Sequence, residues 1–250
     1  MSDRAATRLY VPDPLAGGAE VALTTAAAHR LQHVLRLGPG AIVAAFNERD
    51  GEFLCRIGGY GRAAATLVAE RQLRLPVPET GPWLLFAPIR RARLDWLVEK
   101  ACELGAAALV PVRTERTTPE RLNPERLRGI AIAAAEQSGR LSIPEFRPLE
   151  PLDRVLAHWP ADRRLFVCDE SGGGMPIAAA LAGLSPAMPA AVLVGPEGGF
   201  AERELDALGK LPIVTRVGLG PRVLRAETAG LAALSAFQAI AGDWRRPRSR

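Results

Sequence analysis

Residues 83–112 read WLLFAPIRRARLDWLVEKACELGAAALVPV. Trp83–Pro88 is an unbroken apolar run of strand length, the pattern of a strand buried on both faces. Leu94, Leu97, Val98 and Ala101 then fall at 0, +3, +4 and +7, the spacing that puts one apolar stripe on a helix. Gly105 stands where a left-handed residue closes such a helix, and Ala107–Val112 is a second apolar run. A strand, a helix and a strand in this order predict a parallel pair with a crossover helix.

The alternation continues downstream. Asn123 is placed to cap a helix with Pro124 at its first position, running to about Ser138. Strands are expected at Leu165–Cys168, Ala191–Val194 and Ile213–Leu219. Helices are expected near Pro176–Ala182, at Ala201–Leu208 and at Glu227–Ala241. The fold class is therefore α/β, a mostly parallel sheet covered on both faces.

Residues 1–75 differ in period. Arg8–Val11, Val21–Thr24, Ala41–Phe46, Glu52–Ile57 and Ala64–Arg71 read as short strands separated by turn residues. Ala26–Arg36 reads as one helix, which would place His29, His33 and Arg36 on a single polar face. A His-x₃-His pair suits a metal, but no third ligand accompanies it; a phosphate-facing surface or plain solvent exposure are the other readings. The Pro- and Gly-rich stretch Arg74–Pro82 is linker chemistry. The expected division is a first domain at 1–75, a linker at 76–82 and a second domain at 83–250.

The totals narrow the class. With 250 residues, 48% hydrophobic and 24% charged, the chain is neither disordered nor a disulfide scaffold. Cys55, Cys102 and Cys168 stand singly with no ligand-spaced histidine, so no metal is expected and a reducing cytoplasm fits. The polar start MSDRAATRLY has no apolar h-region, so no secretory signal is expected there, and prolines and glycines interrupt the longest uncharged stretch, so no membrane span is expected. The net charge of +5 is uneven. Residues 1–75 carry 9 basic and 7 acidic side chains, residues 76–244 carry 19 and 20, and Arg245, Arg246, Arg248 and Arg250 end the chain. Positive charge at both ends around a near-neutral body suits an anionic partner, or a solvated tail.

Ligands of open parallel sheets bind where loops leave the carboxyl ends of strands. One such loop is Gly195-Pro196-Glu197-Gly198-Gly199-Phe200, whose glycines let backbone approach a flat ligand. It has neither the spacing of a dinucleotide fingerprint nor the Lys-Ser/Thr of a P-loop. A second runs from Gly218 to Ala229 and includes Arg222 and Arg225 beside a helix start. There Thr228 can cap and Glu227 suits the positive dipole end, while the two arginines oppose it. A third cluster, Glu136–Arg140, reads by itself as a helix C-terminus.

The phrases Glu99-Lys-Ala-Cys-Glu-Leu-Gly105, Ala135-Glu-Gln-Ser-Gly-Arg140, Val194-Gly-Pro-Glu-Gly-Gly-Phe200 and Leu219-Gly-Pro-Arg-Val-Leu-Arg-Ala-Glu-Thr-Ala229 resemble, in this order, the signature of the RsmE-type 16S rRNA (uracil-N3) methyltransferases, of the SPOUT class. The resemblance runs from about Arg30 to Asp243. Ala226 and Val223 depart from it conservatively. It implies a PUA-like β-barrel at 1–75 and a C-terminal α/β domain tied in a trefoil knot. Periodicity gives no hint of the knot, since un-knotted connections are the default. It also implies a homodimer acting on the small ribosomal subunit in the decoding region, with S-adenosyl-L-methionine bound bent among loops near 168–170, 195–199 and 219–229. The donor-binding candidates are Gly195, Pro196, Gly198, Gly199, Leu219, Gly220, Leu224, Thr228 and Ala229.

Methyl transfer to N3 of uracil needs a base for the N3 proton and a cation or N–H donor for charge developing on O2 and O4. Arg225 is the candidate cation; Glu227 or Glu197 is the candidate base. Arg36, Arg140, Arg222, Arg245 and Arg246 are the candidates for holding RNA phosphate. The competing expectations are a ribose 2′-O-methyltransferase of the same class, or a catalytically silent RNA-binding assembly factor.

Overall fold

The computed structural model describes residues 4–61, 65–78, 80–118, 121–185 and 188–245. Arg246, Arg248 and Arg250 of the basic tail, and the expected start of a strand at Ala64, lie outside these residues. The chain forms two compact units, Met1–Glu79 with Ala135–Ile143, and Thr80–Ala134 with Pro144–Arg250. The division expected from sequence thus needs one correction. Residues 135–143, counted with the second domain, cluster with the first unit.

In the first unit, strands β1 (Arg8–Tyr10), β2 (Glu20–Ala22), β3 (Ile42–Asn47), β4 (Gly51–Tyr60) and β5 (Ala65–Arg74) form one sheet in the order β1-β3-β4-β5-β2. The β1–β3 pair is parallel and the rest are antiparallel. The helix expected at 26–36 is shorter and mixed. Helix α1 (Thr25–His29), capped by the Thr24 side chain, passes into a π-helical turn at Arg30–Val34. Arg36 then adopts φ 55°, so it leaves the helix instead of completing its face. His29 and His33 stay neighbours on the surface, their rings tilted by 40° with centroids 4.7 Å apart.

Arg8 ties this unit together. Its Nε donates to Glu52 at 2.5 Å, and its Nη atoms donate to the carbonyls of Ala135, Glu136 and Arg140. The first two carbonyls lie in the last turn of a helix and the third just beyond it, where backbone acceptors lack partners and a cation is favoured. Glu136 answers by accepting from the Tyr10 amide and from Arg30. Burial would raise the pKa of Glu52, but hydrogen bonds from Arg74 and Arg8 outweigh it and hold the carboxyl below its ordinary value.

The second unit carries the parallel sheet. In chain order its elements are β6 (Trp83–Phe86), α2 (Arg91–Glu103), β7 (Ala108–Arg113), α3 (Pro124–Ser138), whose last turn belongs to the first unit, β8 (Glu145–Phe146), β9 (Glu150–Pro151), α4 (Leu152–Ala157), β10 (Arg164–Cys168), β11 (Met175–Pro176), α5 (Ile177–Leu181), β12 (Ala190–Val194), α6 (Glu202–Gly209), β13 (Val214–Gly218) and α7 (Ala226–Ile240). The order is β11-β13-β10-β12-β6-β7-β8, with β9 on β7, and every pair is parallel. The α/β class and the parallel sheet expected from sequence are present.

Local signals held where the chemistry is explicit. Asn123 Oδ1 accepts from the Arg126 amide at 3.1 Å and caps α3. Gly105, at φ 77°, closes α2: its amide donates to Cys102, and that of Ala106 to Ala101. This pair of hydrogen bonds is the Schellman end. By contrast α7 starts at Ala226 with Arg225 at its N-cap and no side-chain cap. Thr228 therefore sits inside the first turn and does not cap it.

Arg8→Ala removes one of the two cations on buried Glu52 and uncovers three carbonyls. A loss of about 3 kcal/mol is expected in chemical denaturation at neutral pH. The sign with pH follows from the depressed Glu52 pKa. That carboxylate stabilises the fold above its ordinary value of 4.5, and the contribution disappears as pH falls through the folded value. Arg8→Ala should flatten this acid-side decline; an unchanged profile would remove the role given to the pair.

Candidate active site at the carboxyl edge of the sheet

Adjacent strands β13, β10 and β12 end level, because Cys168 pairs with Val217 and Val167 with Leu193. The loops that follow them enclose a cavity of about 650 Å³. Its first wall is the loop after β10. Asp169, its side chain fully buried, accepts from Arg216 Nη2 at 2.7 Å and Nε at 3.0 Å, and from the Ser171 hydroxyl at 2.7 Å. Burial would raise its pKa, yet the bonds from Ser171 and Arg216 keep it below the ordinary value. The neighbouring Cys168 thiol is pushed up to about 12 by burial, which leaves it inert as a nucleophile.

The second wall is the glycine turn. Glu170 Oε1 accepts from the Phe200 amide at 3.2 Å, joining the loop after β10 to the loop after β12. Gly199 lies at φ 67°, and a Cβ there would sit 1.7 Å from that same Oε1. No side chain fits at Gly199 without displacing the link. Gly195, Pro196, Glu197 and Gly199 face the cavity. Gly198 does not; its carbonyl accepts from Arg116 Nη1 at 2.9 Å. The third wall is the loop after β13, where Leu219, Gly220, Arg222, Leu224 and Arg225, with Ala229 of α7, line the space.

Residues 79–238 match the family model described as an RNA methyltransferase domain. A ribosomal RNA small subunit methyltransferase E of Synechocystis sp. is 31% identical over 244 residues, covering 94% of this chain and 78% of that protein. The chain belongs to the ribosomal RNA small subunit methyltransferase E family. The Rickettsia conorii member is 29% identical over 234 residues, covering 91% of this chain and 93% of its own. A crystal structure of the Neisseria gonorrhoeae enzyme bound to S-adenosyl methionine superimposes with TM-score 0.82 at 29% identity, covering 95% and 99% of the two chains.

Of the donor-binding and catalytic candidates singled out from the sequence of this methyltransferase, three lie off the cavity wall: Gly198, Thr228 and Glu227. Thr228 is exposed on α7. Glu227 is 6% exposed, with Oε1 3.6 Å from Arg93 Nε and Oε2 buried without a hydrogen-bond partner. Arg36 and Arg140 belong to the other unit. Arg245 is exposed at the end of the described chain, and Arg246 lies outside it. The sequence reading missed Arg93, which stands between Glu227 and Glu197 Oε1, 3.9 Å away. It also missed Arg116, and placed Glu170 only within a donor-site loop without a role. A signal existed for the first: Arg90, Arg91 and Arg93 crowd the start of a helix whose first turn holds no acid, against its dipole. Among the described residues there is no group of three or more His, Cys, Asp or Glu that could hold a metal. No described helix is long and apolar enough to cross a membrane.

The two neighbouring glycines separate geometry from composition. Gly199→Ala must adopt a left-handed backbone and displace Glu170, so a loss of about 1–3 kcal/mol is expected. Gly198→Ala meets only Arg116 side-chain carbons at 3.7 Å or more and should change stability by less than about 0.5 kcal/mol. Thermal melts of the two variants make the comparison; equal melting temperatures would contradict the turn geometry.

Proposed function

We propose that this protein transfers a methyl group from S-adenosyl-L-methionine to N3 of a uridine in 16S rRNA, in the decoding region of the small ribosomal subunit. One observation carries the reading: a cavity floored by a glycine turn is lined by both a carboxylate, Glu197, and a cation, Arg225, from neighbouring loops. The cavity fits the donor. Its volume lies within the range of small-molecule sites, its floor is backbone that a Cβ would obstruct at Gly199, and Glu170 and Glu197 face it with negative charge suited to a cationic ligand. Gly195, Pro196, Gly199, Leu219, Gly220, Leu224 and Ala229 would hold it. When bound, the sulfonium supplies an electrophilic methyl group.

The chain's own residues then do three things. Arg225, exposed at the cavity mouth, faces the charge that develops on O2 and O4 as N3 loses its proton. Glu197 takes that proton as the carboxylate on the wall. Glu227 is set aside as the base because it is buried beneath Arg93; its part is to hold that guanidinium beside Glu197. N3 lies on the pairing edge, so the target base must be unpaired or extruded.

The finer architecture belongs to the same reading. Residues 1–75 form a PUA-like barrel that holds RNA, supported by three register shifts between β4 and β5, since bulges curl a sheet. The linker at 76–82 leads to the methyltransferase domain at 83–250, less residues 135–143, which cluster with the first unit. Its trefoil knot is supported by β12 and β13 entering on opposite sides of β10. Exposed Trp96, Val223 and Trp244 offer apolar surface to a second copy in a homodimer. Arg36, Arg140, Arg222, Arg245 and Arg246 contact phosphate, and the enzyme works in the cytoplasm on ribosomal subunits.

The test is methylation of small subunits followed by reverse transcription. Methyl on N3 blocks pairing and stops the polymerase at one uridine, whereas a methyl on the ribose lets it pass; read-through with methyl incorporated would overturn the assignment. Arg225→Gln should lower kcat by about 10²–10³-fold. Donor affinity, read by calorimetry, should stay within about threefold if Arg225 acts only as the transition-state charge forms.

A further inference from the structure

Two groups stand out among the arginines of the second unit. Arg93, Arg126, Arg147, Arg154, Arg203 and Arg216 each lie within ion-pair distance of a carboxylate. Arg90, Arg91, Arg113, Arg222 and Arg225 are exposed, and among the described residues none has a carboxylate partner. This second group is not scattered. Arg90 and Arg91 follow β6, Arg113 ends β7, and Arg222 and Arg225 follow β13, so all five sit at the carboxyl edge of one parallel sheet.

Strand order fixes their arrangement. From β13 to β6 there are three strand spacings, roughly 14 Å, and β7 adds one more. The cavity loops occupy the interval, with Arg222 and Arg225 on one flank and Arg90, Arg91 and Arg113 on the other. Two contacts bind the second flank to the cavity mouth: Arg116 to the Gly198 carbonyl, and Arg93 to Glu197. A row of unpaired guanidiniums beside a cavity for an extruded base matches a single-stranded backbone, which presents phosphates in series on both sides of that base. Arginine is suited to such contacts through its planar fork of donors.

We infer that Arg90, Arg91 and Arg113 form a phosphate track that carries the single-stranded RNA next to the target uridine across the sheet edge into the cavity. The inference rests on the RNA methyltransferase reading above and adds three residues that the sequence did not single out. The track is electrostatic and sequence-independent, and leaves base choice to the cavity.

The measurement is equilibrium binding of a single-stranded RNA of about twelve nucleotides to the full chain, between roughly 50 and 200 mM salt. Arg90→Gln/Arg91→Gln/Arg113→Gln should reduce the slope of log K against log salt by about 2, or about 0.7 for each single replacement. Its S-adenosyl-L-methionine affinity should stay within about twofold of wild type, which shows that the fold and cavity are intact. Arg164→Gln, at the amino edge of the same sheet, should leave the slope unchanged. A wild-type slope in the triple variant overturns the track, as does an equal loss of slope in Arg164→Gln or a loss of donor affinity with the triple change. If the wild-type chain methylates subunits while the triple variant keeps its slope, only the track falls. If the wild-type chain neither binds nor methylates RNA, the parent reading falls with it.

Discussion

The hydrogen-bonded ladder β13-β10-β12 is the constraint on which the site depends. Parallel pairing sets the ends of these three strands level, and the loops that leave them must then share one small volume. They can do so only if backbone meets backbone. Gly174 packs so closely on β13 that a Cβ would lie 2.5 Å from the Val217 carbonyl carbon, and Gly199 leaves no room for one beside Glu170. Polar links then hold what the glycines permit: Arg216 reaches from β13 to buried Asp169, and Glu170 accepts the Phe200 amide. Cavity shape is therefore a consequence of sheet order, small residues and two carboxylates acting together.

Electrostatics divides the arginines by task. Where a guanidinium meets a carboxylate away from water, as in Arg8 with Glu52 or Arg216 with Asp169, it fixes geometry and lowers the partner's pKa. Where it stands exposed and unpaired at the sheet edge, it contributes nothing of that kind to the fold and is free for an anion. Net charge conceals this division, because residues 76–244 are nearly neutral in total. The exposed arginines at the sheet edge reflect placement, with many acids drawn into internal pairs and unpaired guanidiniums left at one edge.

Much of the architecture was legible in particular residues. Asn123, Pro124 and Gly105 marked helix ends through local hydrogen bonding and backbone freedom, and the structure keeps each mark. Buried runs such as Ala190–Val194 revealed central strands because nothing polar interrupts them. Other elements escaped for equally local reasons. β8, β9 and β11 have two residues each, too few for a period. At 30–34 the helix widens to π, and at Arg36 it ends in a left-handed turn. Periodicity, which assumes 3.6 residues per turn, therefore misplaced Arg36. Thr228 looked like a cap because its residue type favours one, but the helix had already begun at Ala226.

The chain by itself determined that strands alternate with helices, that glycine-rich and arginine-rich turns follow particular strands, and that these phrases resemble a methyltransferase signature. Those properties reside in residue type and spacing, which local sterics and burial translate directly. Tertiary structure alone decided which of the residues share a space. It drew Ala135–Ile143 into the first unit around Arg8, turned Glu227 inward beneath Arg93 while leaving Glu197 on the wall, and lined Arg90, Arg91 and Arg113 along one edge. Proximity across a sheet depends on strand order and crossover path, and neither has a signature in any single stretch of chain.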